Sequence, residues 1–271
     1  PPLSLNESIE TTSIHSIAFR QGALQGLIQD RPFRAPHHTI SDVALVGGGT
    51  TPKPGEISMA HNGVLFLDEL PEFKRNTLEV LRQPLEEGAV SISRANMATD
   101  FPANFTLIAA MNPCPCGYAT NPNKSCECSS YAVQRYRSKI SGPLLDRIDM
   151  HVHVSSIPLN ELQSKRKQES SYEIKKRVLI ARKVQENRCD GSANIVWNSN
   201  LSPPQINRFC NLPKDARHLL ENAMNKLNLS ARSYHRILKV SRTIADLEGS
   251  PSILSNHIAE ALHYRCLDRG N

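Results

Sequence analysis

The 271-residue chain has no apolar run approaching the ~18 residues that a membrane-spanning helix needs, so no such helix is expected within it. Its first residues, PPLSLNESIETTS, hold no basic segment followed by an apolar one, and no secretory leader is expected from them. No internal repeat and no low-complexity tract occurs, which sets aside solenoids and compositionally disordered chains. The phosphate-loop string G-x-x-x-x-G-K-[ST] is also absent. Disulfides are disfavoured: seven cysteines are an odd number, and without an export signal they read first as cytosolic thiols or metal ligands.

What is present describes a globular protein. Hydrophobic residues make up 39%, and the net charge of +6 permits nucleic-acid binding without establishing it. Length alone allows one large domain or two modest ones. Residues 5–29 are expected to be helical, with an apolar stripe through Ile14, Ile17, Ala18, Leu24 and Leu27. RPFRAPHHTIS and VGGGTTPKPGEIS are expected as loops. VLFL is a buried strand, and KRNTLEVLRQPLEEG is one helix closed by Gly88. AVSISRA and MATDFPANF read as a hairpin, and TLIAAMN as a second buried strand ending on Asn112. Two near-continuous apolar strands suit a parallel sheet covered on both faces. Beyond about residue 156 the chain turns basic and helical, with helices near 202–211, 213–227, 230–248 and 254–268. The expected division is an α/β part over 1–155 and an all-helical part over 156–271.

The chemistry gathers at strand ends. Asp68 and Glu69 follow the apolar run VLFL. Such a pair holds Mg²⁺ and orients an attacking water in phosphate-loop ATPases, and it also occurs as two solvated acids where a strand stops. Asn112 ends the second strand, where its amide would reach a γ-phosphate or the water, or would simply form a turn before Pro113. Ligands collect at the carboxyl ends of parallel strands, so the two ends together favour nucleotide chemistry over either alone.

Four stretches in order, NGVLFLDELPEF, AAMNPCPCGY, SGPLLDRIDMHV and LSARSYHRILKVSRTIADL, resemble the magnesium-chelatase-like AAA+ ATPases of the ComM/YifB type. The resemblance covers essentially the whole chain. It implies a AAA+ P-loop NTPase core, here truncated at its N-terminus, followed by an all-helical lid, in a bacterial, cytoplasmic ATPase that assembles as a ring, commonly a hexamer. It implies ATP and Mg²⁺ as ligands. By the same likeness Asp68 and Glu69 match Walker B, Asn112 sensor 1, Arg147 the arginine finger and Arg232 sensor 2. Spacing alone would instead pair Arg147 with Asp146 or Asp149 and leave Arg232 a solvated helix residue. VGGGTTPKPGE does not replace the missing phosphate loop, because a proline follows Lys53 where a helix N-terminus must begin. The resemblance puts that loop upstream of PPLSLNE, so this chain by itself is expected to be inactive as an ATPase.

Cys114, Cys116, Cys126 and Cys128 form two close pairs separated by a loop, an arrangement able to bring four thiolates round one structural Zn²⁺; reduced spectators and redox-labile pairs are the alternatives. Cys189, Cys210 and Cys266 are isolated and read as packed thiols. His37, His38 and His61 lack the carboxylate spacing of a second metal site and read as loop or packing residues. The family likeness places His37 and His38 near a ring pore, where they would contact DNA. Arg94, at the hairpin tip, is the stronger pore candidate, against a plain solvated arginine. The activity implied is ATP-driven DNA remodelling, as branch migration or helicase action in natural transformation. The alternatives are a chelatase-type motor acting on a protein partner and a non-catalytic assembly module.

Overall fold

The computed structural model describes residues 1–18, 26–94, 97–121, 124–155, 168–188 and 196–265. Residues 2–147 make one compact unit; residues from 148 onward, with Pro1, make a second.

In the first unit α1 (Leu5–Ala18) precedes β1 (Phe33–Arg34), α2 (Asp42–Val46), β2 (Gly47–Gly48), β3 (Lys53–Pro54) and α3 (Glu56–Met59). Then come β4 (Val64–Leu67), a 3₁₀ turn (Leu70–Glu72), α4 (Arg75–Glu79), α5 (Arg82–Glu87), β5 (Ala89–Arg94), β6 (Met97–Pro102) and β7 (Thr106–Ala109). Helices α6 (Ser130–Arg137) and α7 (Gly142–Leu145) close the unit.

The central sheet is parallel, in the order β1-β4-β7, with Leu65 opposite Leu107 and Leu67 opposite Ala109. Side chains alternate across a strand, so Leu65 and Leu67 enter one core, fully buried with Ile57, Leu78, Leu81 and Leu144. The other face carries Phe33, stacked on Phe66 at 6.1 Å between ring centroids, and Ile108. Phe33 is 63% and Ile108 48% exposed, so among the described residues the sheet is covered on one face, not on both.

Several local expectations change. RPFRAPHHTIS contributes β1 because the Val64 amide donates to the Pro32 carbonyl at 2.8 Å, an approach only a glycine at 63 allows. A Cβ on Gly63 would stand 2.0 Å from that oxygen. VGGGTTPKPGEIS holds the short β2–β3 ladder and the start of α3. Residues 75–87 form two helices, since Pro84 has no N–H and its ring clashes with the carbonyl four residues back, at Val80. Gly88 does close the second, in the left-handed region. The described part of α1 runs to Ala18, and residues 19–25 lie outside the described residues. The chain has reversed by Ile28, whose amide donates to Thr12 Oγ1 at 2.9 Å, so Leu27 does not extend the helical stripe. The hairpin β5–β6 forms as expected, from Ala89↔Pro102 to Arg94↔Met97.

The second unit is helical: α8 (Ser171–Arg188), a 3₁₀ turn (Asn198–Asn200), α9 (Pro203–Phe209), α10 (Lys214–Leu227), α11 (Ala231–Glu248) and α12 (Ser255–His263). Its core includes Leu220, Ile237, Ile253 and Ile258. The buried carboxylate of Asp246 is matched by Arg188, by Arg242 Nε at 3.1 Å and by Asn198 Nδ2 at 2.8 Å, as a charge removed from water requires. The expected junction at 155/156 borders residues 156–167, outside the described residues. No described helix is long and apolar enough to cross a membrane.

Candidate nucleotide site and four-thiol cluster

Because β4 and β7 are parallel neighbours in register, their carboxyl ends deliver Asp68–Glu69 and Asn112 to one edge of the sheet. The ladder continues past both strands: the Ala110 amide donates to the Leu67 carbonyl, and the Leu70 amide to the Ala110 carbonyl, each at 2.9 Å. Asp68, Glu69 and Asn112 are all exposed, as ligand-binding groups need to be. Asp68 Oδ1 accepts the Glu69 amide at 2.9 Å, and Glu69 takes left-handed backbone angles, φ 52 and ψ 48.

His38 belongs to this edge. Its Nδ1 lies 3.3 Å from Glu69 Oε2, its ring meets Phe73 edge-on, and it packs against His37 at 4.0 Å between centroids. His37 is exposed and its Nδ1 lies 2.9 Å from Thr39 Oγ1. Nothing in the local sequence couples His38 to Glu69; only the pairing of β1 with β4 does. His61 is buried elsewhere: its Nδ1 accepts the Asn104 amide at 3.0 Å and its Nε2 lies 3.4 Å from Glu10.

Arg147 follows α7 in the same unit. Its guanidinium pairs with Glu86, and Nη1 donates to the Pro143 carbonyl at 2.7 Å. Its partner is therefore neither Asp146 nor Asp149; Asp149 pairs with Arg236 in the second unit. Arg147 lines a surface pocket of about 570 Å³ with Glu79, Arg82, Gln83, Glu86 and Ser91. Arg232 lies in the second unit, exposed in the first turn of α11 behind the Ser230 cap. Arg94 ends the β5 ladder next to residues 95–96, which lie outside the described residues.

Cys114, Cys116, Cys126 and Cys128 converge, with all four Sγ atoms within 4.8 Å of one another. Three of the separations are 3.4, 3.6 and 3.6 Å. Four sulfurs at about 2.3 Å from a tetrahedral Zn²⁺ stand about 3.8 Å apart, so the donor set has the right chemistry and nearly the right spacing. The thiol acidities are spread by mutual contact. A backbone hydrogen bond at Tyr118, with the neighbouring thiols, lowers Cys116 to about 6. At Cys126 a backbone hydrogen bond with Cys128 pulls down, but burial and the neighbouring sulfurs prevail and raise it to about 12. Without a cation the cluster cannot carry four thiolates; a divalent metal removes that obstacle. Cys210 is buried apart in the second unit, and Cys189 and Cys266 lie outside the described residues.

Residues 1–162 match the family model described as magnesium chelatase, subunit ChlI, and residues 168–265 that described as magnesium chelatase, subunit ChlI C-terminal. The chain is 49% identical to the competence protein ComM of Haemophilus influenzae, over 99% of this chain and 52% of that protein. It is 45% identical to the uncharacterized protein YifB of Salmonella typhimurium over the same shares, 99% and 52%. A more distant match is the magnesium-chelatase subunit ChlI of Pyropia yezoensis, 24% identical over 45% of this chain and 28% of that protein. The chain thus spans about half the length of the curated relatives it matches most fully. An α/β P-loop-type core followed by a helical C-terminal domain is the architecture of this group, and the chain belongs to the magnesium-chelatase-like AAA+ family, alongside ComM and YifB.

Proposed function

We propose that the protein carrying this chain hydrolyses ATP at the edge formed by Asp68, Glu69 and Asn112, and uses that energy to remodel DNA in the manner of a ComM-type motor. The observation that carries the reading is the registered pairing of β4 with β7, which sets two acids and an amide at one carboxyl edge. Asp68 would hold Mg²⁺, whose charge offsets that of the phosphates. Glu69 would orient and activate the attacking water, and Asn112 would bind the γ-phosphate or that water. Arg147 would act on the nucleotide of a neighbouring subunit in a ring, commonly a hexamer, and Arg232 would bind phosphate and couple the lid to nucleotide state.

The phosphate cradle is not among these 271 residues, so the reading concerns the protein in which this chain and a phosphate loop occur together. The four thiols would hold a structural Zn²⁺. Arg94, with His37 and His38, would contact the DNA, consistent with the net charge of +6.

A chelatase-type motor acting on a protein partner is the second reading, favoured by the match to the ChlI models. ATP turnover by the intact protein, measured with and without a branched DNA duplex, separates the two. Strong stimulation by the branched DNA is expected. Turnover indifferent to DNA would point to the protein partner, and no turnover at all would leave an assembly module.

A further inference from the structure

Arg147 is held in its own unit by contacts that leave one edge of its guanidinium incomplete. Nη1 donates to the Pro143 carbonyl at 2.7 Å, four residues back, and Nη2 donates to Glu86. Nε is buried and has no hydrogen-bond partner among the described residues. A guanidinium offers Nε–H and a neighbouring Nη–H as a fork that matches two oxygens of a carboxylate or a phosphate. Arg34, in the same unit, uses both legs: its Nε and Nη2 donate to the two carboxylate oxygens of Glu56 at 2.5 and 2.7 Å. Arg147 uses only the Nη2 leg.

The other carboxylates of this pocket have partners of their own. Glu79 accepts from Arg82 Nη1 at 2.8 Å, and Glu87 accepts from Gln83 Nε2 at 2.8 Å. Glu86 faces Arg147 from the last turn of α5. The two partners differ in exposure, 9% for the Arg147 side chain and 43% for Glu86. A pair with one member so exposed to water is weak and screened by salt. The buried Nε–H costs free energy until an acceptor reaches it. An anion with two oxygens therefore outcompetes Glu86: it takes over Nη2 and satisfies Nε together. A phosphoryl group has that chemistry.

We propose that Glu86 is the positioning residue for Arg147: it restrains the guanidinium within its own subunit by a single leg, and release from this contact limits how often Arg147 serves a neighbouring nucleotide. This rests on the arginine-finger reading above. Glu86 itself touches neither nucleotide nor water. It competes with the phosphoryl group for one edge of the arginine, so its removal speeds hydrolysis instead of slowing it.

The test uses Glu86→Gln in the intact ATPase, which keeps the length of the side chain and an acceptor oxygen but removes the charge. The expected result is a kcat raised roughly twofold to fivefold, the shift set by loss of a part-exposed ion pair, with KM for ATP unchanged. Glu86→Ala should show the same rise. Glu87→Gln makes the same change of charge one residue on, away from Arg147, and should keep the wild-type kcat. Phenylglyoxal labelling of the 271-residue chain, mapped by peptide mass spectrometry, gives a readout independent of turnover. Arg147 should label faster by a similar factor in Glu86→Gln, while Arg34, gripped by both legs, stays at its wild-type rate. A kcat unchanged or lowered in both Glu86 variants overturns the restraint, and so does labelling of Arg147 indifferent to the substitution. A rise of equal size in Glu87→Gln also overturns it, because the effect would then belong to the charge of the surface. Arg147→Ala is assayed alongside: normal turnover there means that the arginine-finger reading itself is wrong, a result distinct from loss of turnover in Arg147→Ala with no gain in Glu86→Gln, which rejects Glu86 alone.

Discussion

Glu69 combines a charge with an unusual backbone. A non-glycine residue in the left-handed region costs about 1–2 kcal/mol, and glycine avoids that cost. Glu69 sits there at φ 52, between the carboxyl end of β4 and the 3₁₀ turn. Sequence economy would put glycine at this position, so the carboxylate is kept against local preference, as strained residues at functional sites commonly are. Glu69→Gly is therefore expected to melt no lower than Glu69→Gln, within about 1 kcal/mol or above it, while both lose hydrolysis. Calorimetry of the two variants beside a turnover assay checks this; a Glu69→Gly protein markedly less stable than Glu69→Gln would show that the side chain, not the turn, holds the edge together. Arg147 is the second such residue. Its pairing with Glu86 keeps its side chain 9% exposed, so a role at another subunit requires the guanidinium to be drawn toward a stronger anion than that carboxylate.

At the scale of elements, the four-thiol loop and the α1–α3 contact each yield a prediction. Protein purified without added metal should contain about one equivalent of zinc, and Cys126→Ser should lose it; full retention by that variant would show that the ligands lie elsewhere. The α1–α3 contact carries two buried imidazoles. His15 Nε2 meets the Met59 carbonyl at 3.0 Å, and the pKa values of His15 and His61 are both lowered, chiefly by burial. A histidine whose folded pKa lies below its unfolded value of about 6.5 favours folding fully above that value and less as pH falls toward the folded pKa. The first unit should therefore lose stability as the pH falls below about 6.5. Thermal melts across that range should show the loss, and His61→Gln should flatten part of the slope; a slope unchanged by that substitution would assign the loss to other groups. The main elements were legible because their signals are local. VLFL and TLIA are apolar runs with acids or an amide at their ends, Gly88 stops a helix, and the second unit repeats helical spacing. What was not legible depends on partners distant in sequence. A two-residue strand such as β1 has no period to detect, and the His38–Glu69 and Glu86–Arg147 contacts exist only once the sheet and α7 are in place. The break between α4 and α5 is different: Pro84 announced it, and the helical pattern on either side masked the signal.

For the whole molecule, the proposed ATPase raises the question whether hydrolysis would be completed within one subunit or between two. Arg147 stands at the end of the first unit, beyond the β7 segment and α6, on a pocket shared with Glu86 and Arg82. If it serves the neighbour's nucleotide, Arg147→Ala should leave ATP binding nearly intact and lower hydrolysis by roughly 10³-fold or more, the scale of a lost arginine finger. Glu69→Gln should give a similar loss by another route, because it disables the water within its own subunit. Mixing tells the two apart. A subunit lacking Arg147 keeps its own Asp68 and Glu69, and a subunit lacking Glu69 still presents its arginine. Wherever a Glu69→Gln subunit offers Arg147 to the site of an Arg147→Ala subunit, that site is whole. Mixed rings should then recover part of the turnover that neither variant has alone, rising and falling with the mixing ratio. The measurement needs proof of subunit exchange, for instance by energy transfer between labelled subunits. If exchange is shown and no turnover returns at any ratio, Arg147 acts within its own subunit through Glu86, and the shared site is ruled out.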